Sequence, residues 1–396
     1  MYRKVMQRMF QVILASVLVS GSISVSVCAE DSTEGIYENL FYKACSDHVT
    51  ITGCDKTVTT VVIPAEIEHL PVTEIGGSSF ANCAYLTEIS IPDSVTLISS
   101  GAFSKCTSLR SIAIPDCVEE IAADAFVCGI AEITVSDGNQ NYSSVDGVLF
   151  NKEQTVLIDY PEGSPETSYH IPDGVTEIAQ EAFSDCRNLQ EIIMPDSVIV
   201  MQESACKACS SLKHVTLSEN LMEISDQAFY FCRNLAEISF PDGITRIGEG
   251  AFASCGNLTD LVIPDGVTEI GRSAFEKCRS LKHVTILNPD CEISDDAKTI
   301  PAATAIHGYL DSTAYFYEVN NNSFISLGEY LKIQLVQGDL TGDEQVSVTD
   351  LVKMQKYLLG QENISAQLWK NADLDQNHIV NVYDLILLKK EILKNF

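Results

Sequence analysis

Two twelve-residue stretches near the C-terminus carry oxygen-bearing side chains at the same five positions. The first runs from Asp339 to Asp350 and places Asp339, Thr341, Asp343, Ser347 and Asp350 at positions 1, 3, 5, 9 and 12. The second begins 34 residues later and places Asp373, Asp375, Asn377, Asn381 and Asp384 at those positions. Hard oxygen donors at this spacing let a short loop wrap Ca²⁺, with the backbone carbonyl of position 7 completing the shell. Those carbonyls belong to Gln345 and Ile379. One such stretch could be a polar turn ahead of a helix. Two in register, each followed by the same apolar pattern, point to a pair of Ca²⁺ sites.

The flanks define what must hold these loops. After each loop, apolar residues recur at i, i+3 and i+7: Leu351, Met354 and Leu358, then Leu385, Leu388 and Ile392. That spacing predicts one amphipathic helix behind each loop. Residues 332–338, ahead of the first loop, read as a strand or linker, and position 12 is Asp where an ordinary EF-hand has Glu. Over residues 338–394 the chain resembles a type I dockerin in the run Gly338-Asp339 to Asp350-Leu351 and its repeat. The resemblance implies a small all-α, calcium-folded module with two Ca²⁺ ions, which plugs its chain into a cohesin domain of a scaffoldin. It implies partner contacts at loop positions 10 and 11, which are Val348, Thr349, Val382 and Tyr383, with Lys356 and Lys390 adding to them from the helices. Position 6, where Gly makes the sharp turn, is Glu344 in one loop and His378 in the other, a departure that bears on affinity.

The middle of the chain repeats every 23 residues. Phe80, Phe103 and Phe126 form one column, which resumes at Phe183 and passes through Cys206 to Phe229, Phe252 and Phe275. A small residue precedes each, a cysteine follows three residues later at most of them, and a leucine follows that cysteine by three. Each unit closes on a strand and turn such as Leu261-Val-Ile263-Pro-Asp-Gly266, then a second short strand such as Val267 to Ile270. A unit this short cannot bury its own apolar face, so copies must stack. Alternate residues of Leu-x-x-Ile-x-Ile face inward, and Pro-Asp-Gly turns the chain. The expected architecture is α+β: a leucine-rich-repeat solenoid followed by the small helical calcium module. The consensus Ala-Phe-x-x-Cys-x-x-Leu-x-x-Ile-x-Ile-Pro-Asp-x-Val-x-x-Ile resembles the BspA-like bacterial leucine-rich repeats over roughly residues 40–330. That resemblance implies an extracellular binding scaffold and no catalysis.

The irregular parts fit the stack. Residues 34–79 read as an N-terminal cap with a degenerate first repeat at Val61–Pro64 and Pro71–Ile75. The gap from Phe126 to Phe183 is one repeat plus an insert of 34 residues, predicted as hairpins around Asp146-Gly147. Residues 311–320 suggest a short capping helix, and Phe324-Ile325 a last strand.

The N-terminus reads as a signal peptide over residues 1–29: Arg3, Lys4 and Arg8, then an apolar run from Phe10 to Val19, then small residues before a cut near Ala29. Residues 30–333 then form the solenoid with its caps, and residues 334–396 the calcium module. The expected location is secreted and extracellular, with no membrane span after processing. A formal net charge of −30 argues against nucleic acid, whose phosphates need clustered Lys and Arg.

Other residues invite chemistry and lose it to the repeat. Neighbouring rungs lie ~4.8 Å apart with parallel side chains, a poor geometry for disulfides, so the cysteine column reads as a buried ladder of thiols. Outside it, Cys45 and Cys54 are the first candidates for a bonded pair, with the disulfide state of the cysteines left open by the sequence. Cys206-x-x-Cys209 mimics a redox motif, but both positions belong to repeat columns. His214 and His283 share a column, three repeats apart, and read as solvent-facing. Glu120, Glu177, Glu223 and Glu269 form an outward column without the cleft a glycosidase needs. The whole is expected to be a secreted, non-catalytic adaptor in a cellulosome-type complex. Its solenoid would recognise an unknown protein or glycan, and its tail would attach to a cohesin. The alternative is a free cell-surface adhesin with a calcium-stabilised tail and no cohesin partner.

Overall fold

Stacking turns the 23-residue period into three parallel ladders. The computed structural model describes residues 32–327 apart from 128, 295, 297, 311 and 318–321, and beyond them 338, 340, 346–359, 361, 372, 374, 380 and 382–394. In the first ladder the Leu-x-x-Ile-x-Ile strands pair in parallel with no slip. Ser168–His170 lies on Glu191–Ile193 and that on His214–Thr216, while Asp260–Ile263 lies on His283–Ile286. In the second, the short strands stack likewise, as in Glu223↔Arg246, Arg246↔Glu269 and Glu269↔Glu292. Burial alternates along the longer strands; in Asp260–Ile263, Leu261 and Ile263 are buried while Asp260 and Val262 are exposed. That is the period-two pattern of a sheet with one wet face.

The third ladder runs through the Ala-Phe segment. The amides of Gln227, Phe229 and Phe231 donate to the carbonyls of Glu249, Ala251 and Ala253 on the next rung, at 2.8, 2.8 and 2.9 Å. Pointing alternate amides the same way requires left-handed backbone two residues before and two after the Phe position. Gln227, Phe231, Lys105, Asp185 and Ser254 take it without being glycine, at φ of 54°, 65°, 60°, 58° and 68°. Each such residue costs about 1–2 kcal/mol, offset here by a hydrogen bond to the neighbouring rung.

The Phe rings stack up the axis. Phe80–Phe103, Phe229–Phe252 and Phe252–Phe275 centroids lie 5.4, 5.4 and 5.8 Å apart with interplanar angles of 5°, 11° and 11°. These rings are fully buried, as are the leucine and cysteine columns that pack beside them. The seven column cysteines, Cys83 to Cys278, are free thiols, as the rung spacing predicts. Cys54 is also free, while Cys45 is disulfide-bonded, so the candidate Cys45–Cys54 bond is not made. The reason is placement: Cys54 ends the strand Val49–Cys54 and turns its sulfur to Cys83.

The insert opens the stack and closes it again. Tyr142–Val145 and Val148–Asn151 form an antiparallel hairpin at Asp146-Gly147, as expected. Val156–Asp159 then pairs antiparallel with the hairpin and parallel with Glu177–Ile178, which returns the chain to the second ladder. Within Val148–Asn151 alternate side chains serve different cores. Val148 and Phe150 join the C-terminal cluster and Leu149 the N-terminal one. Tyr160 then takes the Phe position, stacked on Phe183 at 5.3 Å. At the far end Phe324–Ser326 is the last described strand, as expected. Residues 312–316, the described part of the stretch predicted as a capping helix together with Tyr317, form turns instead.

Candidate functional site

Two helices carry the calcium-loop signature, at the predicted places: α1 is Val348–Leu358 and α2 is Val382–Lys394. Their inner faces meet over a small core in which Leu340, Met354, Ala372, Leu388 and Ile392 are buried. Gly338 closes this core from the loop side. Its φ is +100°, a conformation that strains any side chain, and a Cβ there would stand 2.7 Å from Leu388 Cδ1, which would have to shift.

Position 12 of each loop is the part of the candidate Ca²⁺ sites whose geometry is described, together with Ser347. Asp350 and Asp384 are fully buried carboxylates. Leu340 N–H donates to Asp350 Oδ1 at 2.8 Å, and Leu374 N–H donates to Asp384 Oδ1 at 2.8 Å. Both amides lie ten residues ahead of their acceptor, so the same contact occurs twice. Ser347 N–H donates to Asp350 Oδ2, also at 2.8 Å, and Ser347 Oγ accepts from Thr349 N–H. This is a capping box at the start of α1. One pair of residues therefore starts the helix and faces the loop. A carboxylate oxygen that accepts one amide proton keeps a further lone pair, so Asp350 and Asp384 fit the terminal ligand positions of an oxygen shell. Asp339, Thr341, Asp343, Gln345, Asp373, Asp375, Asn377, Ile379 and Asn381 lie outside the described residues.

The expected partner contacts divide the same way. Val348, Thr349 and Lys356 are exposed on α1, and Lys390 is exposed on α2; the side chains of Val382 and Tyr383 lie outside the described residues. The exposed face of α1 is more apolar than expected. Val352 is 43% and Leu359 70% exposed beside Val348 at 55%, and spacings of i+4 and i+11 from Val348 put all three on one side. The signal lies in the spacing, opposite the inward stripe of Leu351, Met354 and Leu358.

On the solenoid, the outward columns hold charges without a catalytic pair. Arg246 sits among acids of the neighbouring rungs, 2.8 Å from Asp226, 3.5 Å from Glu269 and 3.9 Å from Glu223. Glu223 and Glu269 face outward as expected, but Glu177 does not. It is buried and accepts a hydrogen bond from Gln202, because the insert covers its rung. His214 and His283 are exposed as expected, His214 near Glu237 at 3.9 Å. His283 Nδ1 lies 3.0 Å from Nε2 of His307, a neighbour one rung on that the column spacing did not disclose. A shallow cleft opens where the insert joins the third rung, lined by Phe126, Ile130, Asp159, Glu162 and Glu181. Burial, and then the nearby Glu162, hold the Asp159 carboxyl well above the usual carboxylate range, and Glu162 is tied to the Gly129 amide. These acids seal the seam of the insert. Among the described residues no helix is long and apolar enough to cross a membrane.

Comparison with known proteins agrees with this geometry. The profile of the family described as BspA type Leucine rich repeat region matches residues 52–168 and 162–282, in 6 copies. That of the Dockerin type I domain matches residues 337–393. No curated protein matches the chain. Among solved structures, the pneumococcal vaccine antigen PcpA is 17% identical with a TM-score of 0.54, the match covering 74% of this chain and 98% of that one; the likeness is one of fold. A leucine rich cell surface protein from Faecalibacterium prausnitzii is 25% identical, covering 64% of this chain and 94% of that one, at a TM-score of 0.46. A leucine-rich repeat protein from Bacteroides ovatus is 21% identical over 74% and 99%, at 0.38.

Proposed function

This chain belongs to the BspA-type leucine-rich-repeat family and ends in a type I dockerin domain, and from that premise we propose that it is a secreted adaptor of a cellulosome-type complex. Dockerins bind cohesins and solenoids of this kind bind other ligands, neither by catalysis. In this reading residues 1–29 direct export, residues 30–333 present the recognition surface, and residues 334–396 attach it to a scaffoldin. Calcium completes the tail. Asp339, Thr341, Asp343, the Gln345 carbonyl, Ser347 and Asp350 would hold one ion. Asp373, Asp375, Asn377, the Ile379 carbonyl, Asn381 and Asp384 would hold the other. Bound there, Ca²⁺ supplies the charge that draws the loop oxygens together and fixes each helix start; it has no reaction to promote.

The observation that carries this reading is the repeated contact of a buried position-12 aspartate with an amide ten residues earlier. It supports Asp350 and Asp384 as the terminal acceptors of the two loops. The docking face would be Val348, Thr349, Val352, Lys356 and Leu359 on α1 and Val382, Tyr383 and Lys390 on α2. A apolar centre with a charged rim is the usual anatomy of a specific protein interface.

The test is binding of the full chain to a panel of cohesins in calcium and then in chelator. Tight binding lost on chelation, and lost in Val352→Asp with calcium present, supports the adaptor. Failure to bind any cohesin, with calcium still bound by the tail, favours a free adhesin whose tail is only a calcium-stabilised clasp.

A further inference from the structure

The thiols of the cysteine column share one role. Cys106, Cys186, Cys209, Cys232, Cys255 and Cys278 each donate to the backbone carbonyl 26 residues earlier, at sulfur–oxygen distances of 3.0, 3.5, 2.9, 3.0, 3.1 and 3.0 Å. Each closes a rung onto the one before it. Cys83 stands at the head of the column, where the rung before it is the N-terminal cap. Its sulfur meets the sulfur of Cys54, 2.9 Å away. Both are buried, at 0% and 1% exposure, and both belong to the N-terminal core cluster. Lys56 lies across the pair. Its Nζ is 3.6 Å from Cys83 Sγ and is anchored on the carbonyls of Ser79 and Ala81. In the same cap Cys45 is already disulfide-bonded, so this part of the chain is built for an oxidising environment.

We propose that Cys54 and Cys83 form a disulfide that fastens the N-terminal cap to the first full rung. Closing the contact to a bond of about 2.05 Å moves the sulfurs by less than ~1 Å. Within the column, Cys106 to Cys278 each donate to a carbonyl of the rung before, so those thiols are already engaged along the stack. Cys54 comes from a cap strand instead and approaches the column from its open end.

The chemistry is exchange with an external disulfide, such as oxidised glutathione or the disulfide of an oxidoreductase. The Cys83 thiolate attacks one sulfur of the external disulfide, and a thiolate leaves. Cys54 loses its proton and attacks the Cys83 sulfur of the mixed disulfide, and the second thiolate leaves. The two cysteines give up two electrons and two protons; the external disulfide is reduced to two thiols. In the docked cap the same contacts set the two thiols apart in acidity. Hydrogen bonds to the Cys106 and Cys54 thiols, with the Lys56 ammonium beside them, hold the Cys83 thiol well below its ordinary range. The hydrogen bond to Cys83 and burial push Cys54 up. Because both sulfurs are enclosed, exchange takes place while the cap is undocked, and docking then shields the bond.

The experiment uses the full calcium-loaded chain equilibrated with oxidised glutathione, denatured, alkylated without reductant and cut before aspartate. The expected product joins residues 47–54 to residues 55–92 through sulfur, lighter by two hydrogens than the separate thiol peptides. Dithiothreitol should lower the melting midpoint of this oxidised protein, and Cys54→Ser should remove the joined peptide and shrink that shift to the part owed to the Cys45 disulfide. Full alkylation of Cys54 and Cys83 in the oxidised sample, or Cys54 joined to any other cysteine, would overturn the assignment. Neither outcome depends on what the tail docks.

Discussion

A rung of the solenoid and a loop-helix unit of the tail are both too short to bury their own apolar stripe, and they differ in what covers it. A rung has copies above and below. Its Phe, Cys, Leu and Ile columns are shielded on both sides, and its backbone amides reach the next rung through three ladders. A tail unit, among the described residues, packs against its twin. The described core between α1 and α2 holds Leu340, Met354, Ala372, Leu388 and Ile392 as its buried apolar residues. Domains of this size seldom stand on such a core without a staple. The solenoid gains from neighbours what the tail is expected to gain from an ion, and the two should therefore fail under different treatments.

The largest expected effect tests the solenoid side. Phe252→Ala removes a fully buried ring stacked between Phe229 and Phe275. It should cost about 3–5 kcal/mol, read as a lowered denaturation midpoint with or without calcium; an unchanged midpoint would mean the column is not the core. Next, chelation should melt the tail alone. A ligand held only by the folded state contributes about 2.7 kcal/mol at a hundredfold excess over Kd. Calorimetry should show one transition move on adding chelator while the other stays; two unmoved transitions would end the contrast.

A smaller effect concerns pH. Burial first, and then the neighbouring His283, hold His307 below the ordinary histidine range, with Asp260 opposing. The folded chain therefore binds this proton less well than the unfolded chain. Stability is complete above the unfolded value of about 6.5, falls as pH drops through it, and levels off below the folded value. Between neutral pH and about pH 5 the wild-type solenoid should lose stability relative to His307→Asn; the raised carboxyl of Asp159 works the other way and is common to both. The smallest effect is a gain. Ser254, two residues after Phe252, holds φ at 68°, while two residues before that ring Gly250 takes 60°. Ser254→Gly should stabilise the solenoid by up to about 1 kcal/mol, the left-handed cost less the extra entropy of glycine. It should leave the tail transition where it was.

Much of this was legible because repetition makes positions comparable. Phe80 to Phe275, the leucines and the cysteines fall in columns, and columns that must stack can be assigned to a core before any coordinates exist. Tyr160 could have been found in the same way, since it stands 23 residues before Phe183. The left-handed backbone around each Phe could not. Lys105, Asp185 and Phe231 share no side-chain property that marks it, and the conformation arises because the next rung offers carbonyls in line. Nor could the burial of Glu177, which depends on where the insert folds back, or the meeting of His283 with His307, which breaks the period by one residue.

The sequence by itself determined the period, the inward columns, the two oxygen-rich loops and the helices behind them, because each of these is set by spacing along the chain. Tertiary structure alone decided which sulfur meets Cys83, which strand of the insert serves which core, and how a buried aspartate reaches an amide ten residues back. Those contacts join segments distant in sequence, and their geometry exists only once the rungs have stacked and the helices have paired.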